Sequence, residues 1–139
     1  MEVEMVELYI DNIVLTTWVN NLQKSVSYKN SQIDSEVLNS IKESIEKNML
    51  ARLEMNNTKT DISITAFCEN GLSFFGIVDM YNDINYYYNN QSNDTTLVEI
   101  EGNVFEKWMV CESNDLLWEA IIFFAFNGKC SPQITWSEE

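Results

Sequence analysis

Between residues 62 and 68 the apolar positions recur at every second residue: Ile62, Ile64, Ala66 and Cys68 alternate with Ser63, Thr65 and Phe67. Glu69-Asn70-Gly71 follows at once, and a second apolar run opens at Leu72. A period of two marks a strand with one buried face, and Asn-Gly between two such runs is a strong hairpin signal. Together they commit the middle of the chain to an antiparallel sheet. The run 72–80 is apolar on both faces, which suits a central strand covered from both sides. Further strands are expected at 49–55, 84–88, 95–101 and 104–110, the last two joined through Glu101-Gly102-Asn103 as a second hairpin.

The flanks are less regular. Residues 3–10 partly alternate and read as a strand that ends at the Asp11-Asn12 turn signal. The β-branched content of 13–19 favours a strand, yet Trp18, Leu22 and Val26 recur at helical spacing. A short strand end followed by a helix over 17–27 is the expectation. Residues 35–48 form a clearer helix: Asp34 or Ser35 caps it, Leu38, Ile41 and Ile45 make one apolar stripe, and Glu43 precedes Lys47 by four.

A last helix spans 115–126. Ser113 or Asn114 caps it, Asp115 suits the positive end of its dipole, and Asn127-Gly128 stops it. Pro132 prevents a restart, and 133–136 is a short final strand. This helix is apolar almost all round, so it is either buried on several sides, with the early helices as cover, or offers a second face to a partner. The expected fold is α+β: a single domain over 1–139, an antiparallel β-sheet with N-terminal helices and one C-terminal helix packed on it.

Charge sets the functional argument. The chain carries 22 acids against 8 bases, net −14. Thirteen of those acids lie in 61–139, where only Lys107 and Lys129 oppose them. Self-repulsion raises the free energy of the compact state, so a basic partner is the natural reason for such a field. Direct nucleic-acid binding needs clustered Lys and Arg and is disfavoured, as are anionic membrane surfaces. The opening MEVEMVELY is acidic where a signal peptide is basic, and the run LLWEAIIFFAF is too short to span a bilayer. Cys68, Cys111 and Cys130 have no metal spacing and an odd count, so free thiols in the cytosol are expected.

No reaction chemistry stands out. There is no histidine, the commonest general base and metal ligand. The four glycines, at 71, 76, 102 and 128, build no phosphate-cradling loop. Paired carboxylates are too common here to single out a glycosidase pair. Asp79, Asn82, Asp83 and Asn85 have a calcium-like flavour but lack the glycine and terminal glutamate of an EF-hand, and read as a polar turn. Neither a metal nor a cofactor is expected.

Binding residues are easier to nominate. In Tyr86-Tyr87-Tyr88, strand parity turns Tyr87 one way and Tyr86 and Tyr88 the other. Tyrosine joins large area to a polar tip and is enriched at interfaces, although these rings could equally flank the core. Glu99 and Glu101 share one strand face, and Glu106 across the hairpin extends an acidic strip, which a solvated sheet face would also explain. With Asp79, Asp83 and Glu112 these complete the candidate partner-binding set.

The segment LLWEAIIFFAFNGKCSPQITWSEE has the layout of a helix ending in F-x-x-x-G, a short spacer with proline, and a strand ending in tryptophan and acid. Its anchors are Phe124, Gly128, Pro132 and Trp136. It resembles the tail of a family of small immunity proteins from bacterial polymorphic-toxin and contact-dependent inhibition systems. That family includes the partner of a toxin that deaminates cytosine in double-stranded DNA. The strands in DISITAFCENGLSFFGIV and TTLVEIEGNVFEKWMV fit its hairpin-rich middle, so the likeness covers about residues 60–139.

The resemblance implies a cytosolic, monomeric, non-enzymatic protein. Such a protein binds and neutralises the C-terminal toxin domain of a delivered effector, a nuclease or another enzyme acting on nucleic acid. An acidic secretion chaperone acting as a homodimer through the apolar last helix is the alternative.

Overall fold

The computed structural model describes residues 7–47 and 50–139. Its centre is one antiparallel sheet of seven strands in the order β2-β1-β3-β4-β5-β6-β9. These are β1 (Asn12–Val19), β2 (Leu22–Lys29), β3 (Leu50–Asn57), β4 (Ile62–Glu69), β5 (Leu72–Asp79), β6 (Ile84–Tyr88) and β9 (Trp136–Glu138). A separate hairpin pairs β7 (Leu97–Ile100) with β8 (Asn103–Glu106). Helix α1 (Ser35–Lys47) follows β2, and α2 (Asn114–Asn127) precedes β9. No helix among the described residues is long and apolar enough to cross a membrane.

Three of the hairpin loops have two residues, both at positive φ: Asn20-Asn21 (53° and 64°), Asn70-Gly71 (52° and 81°) and Glu101-Gly102 (53° and 76°). That is the backbone of a type I′ turn, whose twist matches the strands it joins. The first of these overturns the helix expected over 17–27. Trp18 pairs with Gln23 and Val19 with Leu22 across the Asn20-Asn21 turn, so the four-residue spacing of Trp18, Leu22 and Val26 is coincidental. The β-branched run before the turn prevails. Among the described residues the early part of the chain therefore holds one α-helix, α1, rather than several.

Of the strand expected over 3–10, residues 3–6 lie outside the described residues, as does Met49 at the start of the one expected over 49–55. Tyr9 and Ile10 are not in a strand; their amides donate to Ala125 O at 2.9 and 3.3 Å, tying this segment to α2.

Side-chain parity gives the sheet two faces. One presents Ile13, Leu15, Leu53, Met55, Ile64, Ala66, Phe75 and Ile77, all buried. Both helices cover it: α1 contributes Leu38, Ile41 and Ile45, and α2 contributes Leu117, Ala120, Ile121, Phe124 and Ala125. The caps are as the sequence indicates. Asp34 Oδ1 accepts from Val37 N at 2.9 Å, Ser113 Oγ accepts from Leu116 N at 3.2 Å, and Gly128 (φ 67°) closes α2.

The β7–β8 hairpin covers part of the other face. Phe74, Ile100 and Val110 form a second small core with Phe67, Leu72, Tyr87, Val98 and Phe105 around it. Phe74 and Phe105 stack at 4.2 Å between centroids. Strand β5 is thus sandwiched, and five consecutive residues from Ser73 to Ile77 are buried. The final strand begins later than expected, at Trp136, because Trp136 Nε1 donates to Ser131 O (3.0 Å) and holds residues 131–135 in a turn.

Candidate binding groove

The short hairpin leaves a groove between itself and the β6–β9 edge of the sheet. It encloses about 480 Å³ and is lined by Tyr87, Leu97, Val104, Phe105, Glu106, Trp108, Met109, Ser137, Glu138 and Glu139. Parity builds it. Leu97 pairs with Glu106 and Glu99 with Val104, so these four side chains share the hairpin's outer face, while Val98, Ile100 and Phe105 turn inward. Leu97 and Val104 remain 68% and 60% exposed, unusual for large aliphatic residues with an inner core beside them.

Tyr87 comes from the opposite wall. It lies across from Gly76 in β5, and a Cβ built on Gly76 would meet Tyr87 Cδ1 at 3.0 Å. Glycine at 76 therefore makes room for the ring to lie against the strand. Burial, then the charge of the neighbouring Glu139 carboxylate, pushes the Tyr87 phenol above its ordinary pKa. On the hairpin side, Trp108 Nε1 donates to Glu106 Oε2. Tyr87 and Trp108 thus each have a carboxylate beside them, and no basic residue lines the walls.

The nominated residues do not form one patch. Tyr87 and Glu106 belong to this groove, and Glu99 stands exposed beside it on the hairpin. Tyr86 turns to the helix-bearing face, as parity requires, and joins Asp79 in a second groove of about 460 Å³ with Tyr9, Ile77, Lys129 and Cys130. Burial, then the charge of Glu138, raises the Tyr86 phenol. Asp79 accepts from Asn82 N at 3.0 Å and Asn82 Nδ2 at 2.8 Å, and these bonds hold its carboxyl below the ordinary range. Asp83 sits at positive φ in the exposed β5–β6 turn, and Glu112 is exposed just before α2. Among the described residues no group of three or more His, Cys, Asp or Glu is placed to hold a metal ion.

Two nominations are corrected. Tyr88 is buried against Phe75 and Trp136 in the main core, where burial and then the neighbouring Cys111 push its phenol to about 12. It is not a surface contact. Glu101 is not on the strip with Glu99, because its residue adopts φ 53° in the turn and leaves strand parity. Its side chain is 3% exposed and reaches Arg52 Nη2 at 2.5 Å, while its amide donates to Glu69 Oε1 at 2.9 Å.

Leu97, Val104, Trp108, Glu138 and Glu139 were not foreseen. The available signal was that Leu97 and Val104 share the parity of Glu99 and Glu106, which puts apolar side chains on an acidic face. No protein-family model matches this chain, and comparison with curated proteins gave no match.

Proposed function

We propose that this protein is an immunity protein that binds and neutralises a basic toxin domain without chemistry of its own. The observation that carries the reading is the near absence of internal charge compensation. In a chain of net −14, Arg52–Glu101 is the one ion pair found among the described residues. Although several carboxylates accept hydrogen bonds within the fold and Glu101 is buried, few are neutralised there. Those at the surface keep their charge to meet the Lys and Arg of a groove that otherwise holds a phosphate backbone. The likeness of residues 60–139 to the immunity family points the same way.

The alternative, a homodimeric secretion chaperone, drew on the apolar last helix as its dimer face. That helix lays Leu117, Ala120, Ile121, Phe124 and Ala125 into the core, while Leu116, Trp118, Ile122, Phe123 and Phe126 keep part of their surface exposed. A mass measurement in solution therefore separates the two readings: a stable dimer favours the chaperone, a monomer the immunity protein.

The experiment is co-expression with the toxic C-terminal domain of the large secreted protein that this reading predicts in the neighbouring upstream reading frame. Cells carrying both should survive, and the two chains should co-purify as a one-to-one complex. Death of the cells despite folded, soluble protein, or purification of this chain alone, would refute the assignment.

A further inference from the structure

We infer that the groove between the β7–β8 hairpin and the β6–β9 edge seats an arginine side chain presented by the partner. This rests on the immunity reading and deepens it by naming the contact. Two aromatic–carboxylate pairs line it: Tyr87 with the neighbouring Glu139 on the sheet side, and Trp108, whose Nε1 donates to Glu106 Oε2, on the hairpin side. Each carboxylate retains lone pairs for further donors.

A guanidinium suits this arrangement better than other cations. It is planar, stacks on aromatic faces and takes carboxylates through a fork of parallel N–H donors. An ammonium is compact, strongly hydrated and unable to stack. Leu97 and Val104 supply an apolar lip for the methylenes of the incoming side chain and for apolar neighbours on the partner. A free small cation would leave that lip bare, so the occupant is a protein side chain. Charge complementarity separates this groove from the one near Tyr86, which has Lys129 in its wall.

Two measurements decide the matter. In the first, the full 15N-labelled chain is titrated at low salt with N-acetyl-arginine N-methylamide and with matched lysine and citrulline compounds. The arginine compound should shift the Trp108 indole N–H and the Tyr87 amide saturably, lysine should act several-fold more weakly, and uncharged citrulline should not act. Equal shifts with citrulline, or shifts as large at Asp83 and Glu112 as at Trp108, overturn the inference.

In the second, the upstream-encoded toxin domain is bound to wild type and to a Leu97→Ser, Val104→Ser variant checked for native folding. The variant should release it about tenfold faster or more, as loss of a central anchor does. Unchanged release removes the groove and leaves the immunity reading standing. Failure of the wild type to bind the domain at all removes the immunity reading, and the titration still decides whether the groove takes a guanidinium.

Discussion

Arg52 Nη2 lies 2.5 Å from Glu101 Oε1, joining β3 of the large sheet to the turn of the small hairpin. The pair is lopsided: the Arg52 side chain is 38% exposed and the Glu101 side chain 3%. Arg52 also packs its guanidinium over Phe67 at 5.1 Å. Removing Arg52 strands a buried carboxylate, whereas removing the charge of Glu101 leaves an arginine that reaches water. Arg52→Ala should therefore cost about 3 kcal/mol or more, and Glu101→Gln about 1 kcal/mol. Urea unfolding of both variants checks this, and equal or reversed costs would contradict it.

The same pair carries a pH dependence. Burial raises the Glu101 carboxyl above its ordinary value; Arg52 pulls it down, and Glu69 and Glu54 push it up. An acid with a raised folded pKa binds more protons when folded, so its penalty is relieved as pH falls through that value toward the ordinary carboxylate range of about 4.3. Without Arg52 the raised value climbs further. The stability deficit of Arg52→Ala should thus shrink as pH falls from neutral toward about 5. A deficit that stays constant across that window would contradict the assignment.

The β4–β5 hairpin and helix α1 were legible because their signals are local. Alternation plus Asn70-Gly71 fixes one, and Asp34 with a Leu38-Ile41-Ile45 stripe fixes the other. The β1–β2 hairpin was hidden because Asn20-Asn21 is a weaker turn signal than Asn-Gly, and the chance spacing of Trp18, Leu22 and Val26 mimicked a helix. In the site, parity placed Tyr87 and Glu106 but could not say which face a helix would cover, so Tyr88 was lost to the core. Glu101 escaped because a positive φ in a turn cancels strand parity.

Glycine substitutions should separate strain from collision. Gly71, Gly102 and Gly128 all have positive φ, but a Cβ at the first two meets open space and one at Gly128 runs into the ring of Tyr9. Gly71→Ala and Gly102→Ala should each cost about 1–2 kcal/mol for the left-handed backbone alone. Gly128→Ala should cost clearly more, because the Tyr9–Phe124 ring contact at 6.1 Å must also shift. Thermal unfolding of the three variants orders them, and a Gly128→Ala no worse than the others would refute the packing.

The three cysteines are free thiols. Burial, reinforced by Glu101, pushes Cys68 to about 12, burial pushes Cys130 to about 11, and Cys111 is fully buried. At mildly alkaline pH almost none of Cys68 or Cys130 is thiolate, so native protein should react with iodoacetamide far more slowly than a free thiol does. Intact mass after alkylation in denaturant should show three adducts. Rapid native labelling, or fewer than three adducts without prior reduction, would contradict this.

Association kinetics test the central claim most directly. The rate at which wild type captures the basic toxin domain proposed as its partner is to be measured in about 20 mM and about 500 mM salt, on either side of the ionic strength at which charges a Debye length apart are screened. Capture by uncompensated carboxylates predicts a fall of about tenfold or more at the higher salt, with dissociation changing much less. An association rate that is the same at both salt concentrations would contradict it.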